Sequence, residues 1–81
     1  MIDPLACDDL LTFRLRLGLT LRQFSQRTGL SIATLHRVER KKTHASPRTR
    51  VRLQNSLELT TQAIEHLLEA RNSKFNMQAR Y

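Results

Sequence analysis

The segment LGLTLRQFSQRTGLSIATLHRVERKK, Leu17 to Lys42, decides how this chain folds. Thr20-Leu-Arg-Gln23 has the form of a capping box, in which the Thr20 hydroxyl takes the Gln23 N–H and the Gln23 side chain reaches back. Leu19 and Phe24 occupy the hydrophobic-staple positions around that cap. A helix is therefore predicted from Leu21 to about Thr28. Gly29 stops it, because glycine reaches the left-handed turn without a Cβ penalty. Ser31 then caps Ile32-Ala-Thr, and a third helix runs to about Arg40. Leu35 and Val38 face inward at i, i+3, which leaves Ala33, His36, Arg37 and Arg40 outward. Ser25 must be small, because the third helix crosses close to it.

Reading outward, Asp3 and Pro4 start a first helix from about Pro4 to Leu17, with Asp8 and Asp9 in its early turns and Gly18 at its end. Leu10, Phe13 and Leu17 form its buried stripe. Ser46-Pro47 opens a fourth helix to about Leu57, with Leu53 and Leu57 as its buried pair. A fifth begins near Thr60, and Ile64, Leu67, Leu68 and Arg71 share a stripe that Phe75 extends. Residues 76–81 are expected to fray. Two short helices joined around Gly29 make a helix-turn-helix, and nothing in the chain alternates as a strand does.

Charge follows the same map. The 81 residues carry a net +7. Between Arg14 and Arg52 there are eleven basic residues and one acid, Glu39, so this stretch holds +10. The first thirteen residues hold −3, through Asp3, Asp8 and Asp9, and from Leu53 onward the charges balance. A basic middle points to a polyanionic partner, with nucleic acid ahead of an anionic membrane surface. On chemical grounds Arg37 is the best reader of a base, since a guanidinium takes guanine O6 and N7 together. Ile32 and Ala33 suit a thymine methyl. His36 can donate to a base or a phosphate. Lys41 and Lys42 are point charges suited to phosphates.

Segment 17–42 resembles the Xre/Cro family of phage-repressor-like DNA-binding domains. The likeness lies on Gly18-Leu19-Thr20, Phe24, Ser25, Gly29, Ser31, Thr34-Leu35, Arg37-Val38-Glu39 and Lys42. Pro47, Leu53 and Leu57 continue it, so that it spans roughly 11–68. The resemblance implies an all-α, compact five-helix domain of lambda-repressor type with a central helix-turn-helix, its third helix in the major groove and its second across the backbone. Carried over by position, Ile32, Ala33, His36 and Arg37 face base edges. Thr20, Arg22, Ser31 and Thr34 meet phosphates, and Arg40, Lys41, Lys42, Thr43, His44 and Arg48 line the adjacent strand. The resemblance also implies an ion pair between Arg14 and Glu39, with Arg14 still able to reach a phosphate. Three positions depart from the family. Leu21 stands where Gln often contacts DNA. Lys41 stands where Gly often follows the third helix, so a different helix end is expected there. Glu58 stands where Gly often closes the fourth.

The domain is expected over residues 1–72, with the helix-turn-helix at 21–40, the fifth helix at about 61–72 and a C-terminal extension at 73–81. Ile64, Leu67, Leu68 and Phe75 are more apolar surface than this core needs, so they are expected, with Arg71, to form a homodimer contact. The reading is a cytoplasmic, sequence-specific double-stranded DNA-binding regulator. It is expected to act as a homodimer on a two-fold operator, chiefly as a repressor, either occupying a promoter and blocking RNA polymerase or contacting polymerase beside it. The alternative is an antitoxin that binds a toxin and represses its own operon. No enzyme, cofactor or small-molecule ligand is expected. His36, His44 and His66 have no metal-ligand spacing, Cys7 has no activating partner, and no acid orients a histidine on the third helix. No apolar run reaches the ~20 residues of a membrane span. No secretory leader is expected, because Asp3, Pro4, Asp8 and Asp9 interrupt the start.

Overall fold

A computed structural model gives the fold and describes residues 2–68. Within them a short 3-10 turn, Pro4–Ala6, precedes helices α1 (Leu10–Arg16), α2 (Leu21–Thr28), α3 (Ile32–Glu39) and α4 (Pro47–Ser56). Residues 61–68 are also helical and are called α5 here. The described residues contain no strand.

Each helix begins at a side-chain cap that satisfies an otherwise orphaned N–H. Thr20 and Gln23 form the complete capping box, with the Gln23 N–H donating to Thr20 Oγ1 at 3.1 Å and the Thr20 N–H donating to Gln23 Oε1 at 2.9 Å. Ser31 accepts from the Thr34 N–H at 3.1 Å, Ser46 from Thr49 at 3.2 Å, and Thr60 from Ala63 at 3.0 Å. Gly18 (φ +75°) and Gly29 (φ +77°) end α1 and α2 in the left-handed region, as glycine does most cheaply.

The first helix differs from the sequence expectation. It is not continuous from Pro4. Asp3 caps only the 3-10 turn, through the Leu5 N–H at 3.0 Å. Asp9 is extended (φ −159°) and caps α1 afresh, accepting from Thr12 at 2.9 Å. Two capping acids in one short segment divide it, since a residue acting as N-cap lies outside the helix it caps. The break drops Cys7 into the core, where it is 1% exposed.

The core joins all five helices through Cys7, Leu10, Phe13, Phe24, Leu35, Val38, Leu53, Ile64, Leu67 and Leu68. Burying an aliphatic or aromatic side chain of this size contributes roughly 1.5–3 kcal/mol. Ile64, Leu67 and Leu68 are each at most 2% exposed in the single chain. They close this core and offer no surface to a partner, which corrects their expected place in a dimer contact. Arg71 and Phe75 lie outside the described residues. Leu57 is only half-buried and Val51 is exposed.

Candidate DNA-reading face

The α2–turn–α3 unit is fixed from within. Phe24 on α2 and Leu35 on α3 are fully buried, and Val38 nearly so. The Ser25 hydroxyl donates to the Leu30 carbonyl, so a small side chain is needed there for a bond across the turn as well as for clearance. Thr28 adds a second tie: its hydroxyl donates to the Phe24 carbonyl at 2.9 Å and accepts from the Leu30 N–H at 3.3 Å.

Beneath the unit lies a buried ion pair. Arg14 Nε donates to Glu39 Oε2 at 2.7 Å and Nη2 donates to Oε1 at 3.2 Å, the two-pronged match a guanidinium makes with a carboxylate. The side chains are 10% and 2% exposed. Arg14 Nη1 also donates to the Leu19 carbonyl at 2.8 Å. One guanidinium therefore holds the last residue of α3 and the residue before the α2 cap. The lone acid of the basic segment is its counter-charge. The expected reach of Arg14 to a phosphate does not emerge from this geometry, because its side chain is turned inward.

The opposite face of α3 is open. Ile32, Ala33, His36 and Arg37 are all exposed, Ile32 at 44%. Ile32 therefore leaves a large share of its aliphatic surface in water at the start of the helix. Arg40, Lys42, Thr43, His44 and Arg48 continue the exposed surface, with Thr20 and Arg22 at the start of α2. Thr20 serves its cap as an acceptor, which leaves its hydroxyl proton for an outside oxygen. The Ser31 hydroxyl donates to Thr34 Oγ1 at 2.9 Å, so at this cap the free proton belongs to Thr34.

Lys41 behaves differently from its neighbours. It is half-buried, and its Nζ donates to the Leu67 carbonyl at 3.3 Å, tying the loop after α3 to α5. Its φ of +59° is left-handed, and so is that of Glu58 at +54°. At the end of α3, where a different helix end was expected, Lys41 itself takes the left-handed turn that glycine adopts most cheaply, at some steric cost.

Sequence reasoning missed His66, whose Nε2 lies 2.7 Å from the Cys7 carbonyl and joins α5 to the N-terminal segment. Nothing local signals such a bond, because its acceptor is a backbone atom 59 residues away. Among the described residues no three His, Cys, Asp or Glu side chains are grouped to hold a metal, and no helix is long and apolar enough to cross a membrane.

A basic domain with a rigid two-helix unit and one uncovered helix face has the architecture of a major-groove reader. The sequence profile described as Helix-turn-helix matches residues 10–64, and the chain belongs to this Xre/Cro-like family of DNA-binding regulators. No curated protein and no solved structure matched the chain.

Proposed function

We propose that the protein is a sequence-specific transcriptional repressor that reads duplex DNA in the cytoplasm as a homodimer on a two-fold related operator. The observation that carries this reading is the uncovered face of α3. Ile32, Ala33, His36 and Arg37 point away from a core that Leu35 and Val38 fill from the other side. Ile32 and Ala33 meet thymine methyl groups, and Arg37 takes a guanine in a two-pronged contact. Thr20, Arg22, Thr34, Arg40, Lys42, Thr43 and His44 meet the phosphates that set register. Arg14 acts one layer below, by fixing α3 against the start of α2. Two copies place their reading helices about 34 Å apart, one turn of duplex. Repression follows from occupancy, since a bound dimer excludes polymerase from an overlapping promoter.

The test is a gel-shift titration of wild type and Arg37→Ala against a selected site and a scrambled one. The variant loses roughly 1–3 kcal/mol on the selected site and little on the scrambled one. Equal affinities for both proteins on both duplexes would remove α3 as the reader.

A further inference from the structure

An open groove lies between the end of α2 and the outer face of α4. Thr28, Pro47, Arg48, Val51, Arg52 and Asn55 line it. Val51 is 56% exposed, an aliphatic side chain in water at the centre of a basic helix. Arg48 and Arg52 flank it, about 6 Å apart along the axis. Arg52 also lies over the turn: a Cβ added at Gly29 would come within 2.9 Å of its Nη1. Among the described residues neither arginine has a carboxylate partner. Phosphates satisfy arginines but gain nothing from an aliphatic side chain between them. The groove therefore fits an acidic polypeptide segment with one apolar side chain at its middle.

The chain itself carries such a segment. Leu5 is 45% exposed on the N-terminal 3-10 turn, with the exposed acids Asp3 and Asp8 on either side. Neither acid is in an ion pair among the described residues. The segment is fixed rather than loose, because Asp3 caps it, Cys7 anchors it in the core and His66 holds the Cys7 carbonyl. Its acid–leucine–acid order is the complement of the arginine–valine–arginine order on α4.

We propose that the α4 groove receives the Asp3–Leu5–Asp8 turn of a second copy of this chain. Leu5 covers Val51, Asp3 meets Arg48 and Asp8 meets Arg52. Made twice about a two-fold axis, the contact is self-complementary, as a homodimer requires. The proposal rests on the homodimer reading above and supplies the surface that the buried Ile64, Leu67 and Leu68 do not.

A charge swap tests it without DNA, by sedimentation equilibrium of the full chain, with thermal melts to confirm folding. Asp8→Lys alone and Arg52→Glu alone each weaken self-association by roughly tenfold, because like charges then face each other. Mixed in equal amounts, the two associate again, since the new lysine of one meets the new glutamate of the other. Val51→Asp, at an exposed position that leaves the core intact, weakens association as well. A mixture no tighter than either variant alone, or Val51→Asp associating as wild type, would overturn the contact. So would a wild-type chain that stays monomeric. Operator binding is read separately by gel shift, so DNA binding that survives a failed swap overturns the contact and leaves α3 as the reader.

Discussion

Glu39 shows how one residue acts at two levels. As the single acid among eleven basic residues from Arg14 to Arg52, it lowers the charge that a polyanion would see. It is kept because Arg14 is buried against it with two hydrogen bonds. Burying a guanidinium is tolerable only with a partner, and removing one member of such a pair typically costs 3–5 kcal/mol. Glu39→Ala is accordingly expected to lower unfolding stability by about 3–5 kcal/mol in a urea melt. Removing both partners, as Arg14→Met with Glu39→Leu, is expected to cost less than Glu39→Ala, since no charge is left stranded. A double variant as unstable as the single one would show that the pair's role lies elsewhere. The pairing was legible in the sequence through the family likeness, whereas the bond from Arg14 to the Leu19 carbonyl was not, because a backbone acceptor leaves no mark in residue identity.

At the level of elements, the capped starts were the most legible part of the chain. Thr20, Ser31, Ser46 and Thr60 each cap the helix their side-chain chemistry announces, since the bond is local and spans three residues. The N-terminal segment misled for the same reason: Asp3, Asp8 and Asp9 all suit a helix start, and only the tertiary demand to bury Cys7 selects two starts over one. The ends after α3 and α4 carry the complementary lesson. Lys41 and Glu58 lack glycine's freedom yet take left-handed backbone, because the surrounding fold dictates the turn. A non-glycine residue there costs about 1–2 kcal/mol, partly offset by the lower chain entropy it brings. Glu58→Gly is therefore expected to stabilise by up to about 1 kcal/mol in thermal unfolding. Lys41→Gly gains less, because it also loses the Nζ bond to Leu67. Equal gains at both sites would mean that this bond contributes nothing. The exposed face of α3 was legible because a helix with Leu35 and Val38 inside has its other face fixed by geometry.

Across the whole molecule, the distribution of charge separates two jobs. The basic, exposed positions run from the start of α2 through α3 to the first turn of α4, while Asp3, Asp8 and Asp9 all precede α1 in the sequence. What sequence could not supply was the fate of α5. Its apolar stripe looked like spare surface, but a domain this small needs nearly every large side chain to make a core at all. Ile64, Leu67 and Leu68 are used inside the chain. The basic surface has its own signature: Lys42→Ala is expected to weaken binding to all duplexes alike and to reduce the slope of log affinity against log salt by about one. An unchanged slope would take Lys42 off the backbone. The central claim is that α3 reads base sequence, and it is tested most directly by selecting bound sites from random duplex DNA with wild type and with Arg37→Ala. Wild type is predicted to enrich a two-fold repeated half-site containing a guanine, and Arg37→Ala to lose the preference for that guanine while retaining the rest. Enrichment of no common site by wild type, or of the same site with the guanine intact by the variant, would contradict the account.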